Sequence, residues 1–114
     1  MAFRSVGIDL PHAYVDGVPG LAGGLRSLKD VGPDFVEVWP HHLGVVLGGV
    51  LDPERLQTVQ EVLLEMDLAY TVHAPHDINL MDLTAPNLQR GVLEASLRFA
   101  GEIGAEVVLS LIHI

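Results

Sequence analysis

Four short runs of apolar and β-branched residues, each separated from the next by a stretch with helical spacing, constrain this chain more than any other feature of it. Residues 5–10, 35–39 and 69–72 suit a pleated surface, and a proline that cannot donate to a strand ladder closes each of them: Pro11, Pro40 and Pro75. Residues 107–114 read as a fourth strand. Between the strands, Leu21, Leu25 and Leu28 share one face of a helix over 21–31, which Gly32-Pro33-Asp34 breaks. Asp52 caps a second helix with Pro53 at its first position, and Leu56, Val59, Val62, Leu63 and Met66 form its buried stripe. Thr84 is the expected cap of a third helix over 85–103, with Leu88, Val92, Ala95, Phe99 and Ile103 inward and Gly104 ending it. Residues 11–20 and the glycine-rich, apolar 41–51 read as loops.

The resulting order is βαβαβαβ, with strands roughly 30 residues apart, which demands parallel strands flanked by helices. Two α/β architectures satisfy it within one domain over residues 1–114: a doubly wound sheet, or the first half of a (β/α)8 barrel ending after strand four. In both, the C-terminal strand ends form one functional rim.

The polar residues collect at that rim. His12, His41, His42, His73 and His76 lie at or just beyond a strand's C-terminal end, and His113 lies near the end of the fourth. Asp9, Glu37 and His73 occupy the later parts of strands one, two and three. Glu37 shares a face with Phe35 and Trp39, and His73 shares one with Thr71. A carboxylate inside a strand requires a polar niche, because burying it alone is costly. Taken singly, the loop histidines read as solvated residues, Asp77 as a turn cap and Asn79 as a bond to loop backbone. His73 stands apart because it continues an apolar strand. Imidazoles and carboxylates gathered at one rim could hold a divalent metal.

Bulk properties exclude several classes. Fifteen acids against six bases give a formal charge of −9, which disfavours a nucleic-acid partner. The absence of cysteine removes disulfides and thiolate metal sites. No apolar run approaches the roughly 20 residues that cross a bilayer. Met1-Ala2-Phe3-Arg4 leads directly into the first strand without a signal-peptide pattern, so the expected location is the cytoplasm.

His73-Ala74-Pro75 followed by Ile78-Asn79-Leu80 resembles the xylose isomerase-like TIM barrels, a superfamily that joins sugar-phosphate isomerases and epimerases to the AP endonuclease family 2, endonuclease IV included. Residues 32–38 and 100–108 support the resemblance, which runs over nearly the whole chain. It implies a metal-dependent enzyme with a small sugar or sugar-phosphate substrate, proton abstraction beside a carbonyl, and a divalent metal (Mn, Mg, Co or Zn) whose ligands come mostly from later strands. The residues it points to for substrate contact are Glu37, Trp39, His73, His76 and Asn79. In the endonuclease branch, which cleaves phosphodiesters at abasic DNA, His73 matches a metal-ligating histidine. Two departures weigh on the choice. The endonuclease branch has tyrosine at the position of His76, and its DNA-inserting basic loop finds no counterpart in residues 41–51, which contain no Lys or Arg. The fourth strand runs Leu109-Ser110-Leu111-Ile112-His113-Ile114 where the family has His-Pro-Gly. A barrel of this class needs about 250 residues. The expectation is therefore the N-terminal part of a sugar isomerase or epimerase, inactive by itself. The other two readings are an endonuclease IV-like enzyme and a non-catalytic half-barrel that self-associates through open sheet edges.

Overall fold

The computed structural model describes residues 6–10, 18–75 and 78–110. Its elements in chain order are β1 (Gly7–Asp9), α1 (Val18–Val31), β2 (Phe35–Val38), β3 (Val46–Leu47), β4 (Val50–Leu51), α2 (Pro53–Glu65), β5 (Ala69–His73), α3 (Pro86–Glu102) and β6 (Val108–Leu109). Strands β1, β2, β5 and β6 form one sheet in that order, every pairing parallel. A parallel sheet whose order follows the chain, each strand joined to the next through a helix, is the first half of a (β/α)8 barrel and not a doubly wound sheet, whose strand order reverses.

The two faces of the sheet differ. Val36, Val38 and Val72 are fully enclosed on the helix side, where Tyr70 and Leu10 join them against Leu25, Val59, Leu63 and Phe99. Tyr70 is buried among these side chains, which raises its hydroxyl's pKa, and it donates a 2.5 Å bond to the Leu63 carbonyl. The other face carries Gly7, Asp9, Phe35, Glu37, Ala69, Thr71 and Leu109, and it is open. The Phe35 ring lies over Gly7, where any Cβ would meet it. A trough of about 640 Å³ runs along this face past Phe35, Glu37, Thr71 and Leu109. In a closed barrel such space is largely packed by layers of side chains, and Glu37 and Leu109 lie at the end of the trough nearer the C-terminal rim.

Helix ends follow local chemistry. The Asp52 carboxylate accepts from the Glu54 and Arg55 N–H groups at 3.1 and 3.2 Å, satisfying donors left over at the start of α2. At the end of α3, Gly104 takes φ +73°, and Ala105 and Gly104 donate back to the Ala100 and Gly101 carbonyls.

Four expectations are corrected. Helix α1 begins at Val18, not Leu21, because Pro19 in its first turn has no N–H to leave unsatisfied. Thr84 does not cap α3. Its N–H and hydroxyl both go to the Asp82 carboxylate, and the N-cap position is Ala85, which makes no side-chain cap bond. These bonds hold the Asp82 carboxyl below its ordinary pKa. Leu88 is not core, being half-exposed where the first turns of α3 lie against Gly49 and not the main sheet. Finally, residues 41–51 contain a hairpin, β3–β4, turned by Gly48 and Gly49 with φ of +58° and +78°. The fourth strand is described as Val108–Leu109 alone, and the expectation for residues 111–114 lies outside the described residues.

Candidate active site

Alternation along the strands determines which side chains reach the inner face, and parallel register aligns them. Asp9, Glu37 and Thr71 form one row across β1, β2 and β5, and His73 pairs with Leu109 one step closer to the C-terminal rim. Trp39 follows β2 directly and occupies that same upper level.

Trp39 is the hub. Its indole Nε1 donates a 2.6 Å bond to Asp9 Oδ1. Its ring stacks on His73 with centroids 3.7 Å apart and planes 10° from parallel. His42 lies nearly parallel to it at 5.1 Å, and His41 stands edge-on at 5.5 Å. Trp39 and His73 are only 7% and 5% exposed. The His73 Nδ1 lies 2.5 Å from the Ala74 carbonyl, a separation that requires Nδ1 to carry the hydrogen. In the tautomer this fixes, Nε2 is the ring nitrogen that carries no hydrogen.

Glu37 is the electrostatic focus. Its Oε1 is buried and has no hydrogen-bond partner among the described residues. Burial pushes its carboxyl pKa up, His73 opposes that rise, and Asp9 adds to it. Such a carboxyl can accept a hydrogen bond or exchange a proton, and either would relieve the stranded oxygen.

The expected site residues thus divide. Glu37, Trp39 and His73 converge. Asn79 builds a turn instead: its Oδ1 accepts from the Met81 N–H and its own N–H donates to Gln89. His76, like His12, Asp77 and His113, lies outside the described residues. The structure adds Asp9, His41 and His42 to the cluster. His41 and His42 are half-buried against Trp39 and not solvated as single loop histidines would be. The His-His pair directly after Pro40 was the available signal, since a strand's end delivers the next two residues to the rim. Among the described residues, no three His, Asp or Glu side chains are set to hold a metal, so these residues alone do not make a metal site.

No family model matches the chain, and no curated protein sequence does. Solved structures do resemble it. Endonuclease IV from Thermus thermophilus superposes over 94% of this chain with a TM-score of 0.63 at 18% identity. A xylose isomerase-like TIM barrel protein from Mycobacterium smegmatis, in complex with magnesium, superposes over 96% with a TM-score of 0.68 at 14% identity. The chain spans 39% of each of those chains. The fold shared with both is therefore that of part of a TIM barrel, as the βαβαβαβ order led one to expect.

Proposed function

We propose that this chain supplies one part of the catalytic rim of a barrel that isomerises or epimerises a small sugar or sugar phosphate. One observation carries the reading: Glu37 presents a buried oxygen without a hydrogen-bond partner among the described residues, beside an aromatic wall of Trp39 and His73. A sugar hydroxyl supplies the donor this oxygen lacks, next to a cluster of stacked rings that holds the carboxylate's surroundings rigid. Glu37, Trp39 and His73 are then substrate contacts. The reaction class is proton abstraction beside a carbonyl. A divalent metal (Mg, Mn, Co or Zn) that polarises the substrate oxygens would take its ligands from strands beyond this chain. The chain by itself is accordingly expected to bind but not to turn over.

A second reading has its own observation. The Nδ1 bond of His73 to a backbone carbonyl is the orientation common among metal-ligating histidines. On that reading His73 ligates zinc in a phosphodiesterase acting at abasic DNA. The charge of −9 and the lack of Lys or Arg in residues 41–51 weigh against it.

Trp39 is the sole tryptophan, so its emission reports on the site directly. Titration of the chain with a pentose, a hexose and their phosphates should change that emission. Glu37→Gln should weaken binding about tenfold, the cost of one hydrogen bond to a charged acceptor. An abasic-site duplex that binds with a steep salt dependence, while no sugar binds, would overturn the reading.

A further inference from the structure

A second cavity, of about 260 Å³, lies between the β3–β4 hairpin and α3. Its described walls are Val46, Pro75, Ile78, Leu88 and Val92, with His41 at one side and the Gly48-Gly49 backbone above. Gln89 also faces it, yet both ends of the Gln89 amide are engaged. Oε1 accepts from the Asn79 N–H at 2.8 Å, and Nε2 donates to Asp82 at 3.3 Å. The cavity is therefore apolar in effect, although it opens beside a polar centre. His41 connects the two, lining the cavity while standing edge-on to Trp39. Pro75 likewise lies two residues beyond His73.

The walls are preformed. Gly49 approaches the backbone of Gly91 and Val92 so closely that a Cβ on it would lie 3.3 Å from the Val92 nitrogen. The Arg55 guanidinium donates from Nε to the Leu43 carbonyl at 2.8 Å, and Asp52 N–H to the Val45 carbonyl at 2.8 Å. These bonds brace the hairpin from its far side. An engineered apolar cavity of about 150 Å³ already admits a benzene ring, so this one has room for a substituent of that size.

We propose that the site is bipartite and that this cavity takes an apolar substituent, of roughly ring size, on a sugar-like ligand whose hydroxyls meet Glu37. The assignment rests on the sugar reading for its polar half only. Sugars and sugar phosphates without such a group then fill half of the site, and the preferred substrate class is a polyhydroxylated compound with an aryl or short alkyl substituent.

Phenyl and methyl β-D-glucopyranoside, titrated into the chain and followed through Trp39 emission, test this directly. The phenyl compound should bind at least tenfold more tightly, the gain expected from burying an aromatic ring. Phenol alone should shift the methyl resonances of Val46, Ile78 and Val92. Val92→Phe should fill the cavity and reduce the phenyl advantage to about twofold while leaving methyl glucoside affinity unchanged. Leu88→Phe, at a half-exposed helix position, serves the same purpose if Val92→Phe does not fold. Equal affinities for the two glucosides, or phenol that leaves those methyls unmoved, would overturn the cavity assignment. If Glu37→Gln weakens neither glucoside while the phenol shifts persist, the sugar reading fails and the cavity assignment stands.

Discussion

Glu37 is an acid held where its ionisation opposes folding. Burial raises its carboxyl pKa above the ordinary 4.5, against the pull of His73 and with the help of Asp9. Between 4.5 and the raised value, the folded chain binds more protons than the unfolded chain. Stability is therefore fully present below 4.5 and is lost as pH rises through the raised value. Glu37→Gln removes this dependence. Urea denaturation should find the variant equal to wild type near pH 4 and more stable at pH 7, and a variant less stable at pH 7 would contradict the account. A residue that costs stability and faces a pocket is the usual mark of a functional position. Period-two alternation made the shared inner face of Glu37 and Trp39 legible in the sequence. The Asp9–Trp39 bond was not legible, because it joins residues 30 apart on neighbouring strands.

At the level of elements, the hairpin over Val46–Leu51 decides the shape of the rim. Each of its strands has two residues, too short for alternation to register, so a glycine-rich apolar loop was all that spacing could suggest. Its two turn glycines differ in a testable way. Both have positive φ, which costs a non-glycine residue about 1–2 kcal/mol. At Gly48 an added Cβ meets nothing within 4 Å, whereas at Gly49 it presses on the α3 backbone. Gly48→Ala should thus cost about the conformational penalty alone. Gly49→Ala should cost more by roughly another 1 kcal/mol, the scale of overpacking. Chemical denaturation midpoints measure both, and equal losses would mean that the hairpin does not bear on α3. The start of α3 carries the complementary lesson. Thr84 had the chemistry of a cap, but Asp82 lies two residues away and captured it.

For the whole molecule, openness is the main physical fact. A closed protein of 12.3 kDa exposes about 6,100 Å², and this chain exposes 7030 Å². Its extents of 44 × 41 × 23 Å describe a slab, as a sheet covered on one face must be. Among the described residues, strands β1 and β6 each have a single neighbour, and Leu109 is 50% exposed on the bare face. Among the described residues no helix is long and apolar enough to cross a membrane. We propose that the chain self-associates through these edges, opposed by its charge of −9. Sedimentation velocity should show association that grows with concentration and strengthens as salt screens the repulsion. A monomer at low and high salt that unfolds in one sharp transition would refute it.

Local chemistry written in the chain was sufficient for the βαβ order, the proline-closed strands, the Asp52 cap, the Gly104 terminus and the side of the sheet on which Glu37 and His73 stand. Each depends on neighbours a few residues away or on a period of two, which a linear sequence carries intact. Tertiary structure alone decided that the rings of Trp39, His41, His42 and His73 meet, that Gln89 is committed to a loop, and that an apolar cavity opens beside that ring cluster. Those outcomes depend on how far strands and helices of distant segments approach one another, a distance that packing sets and spacing along the chain does not.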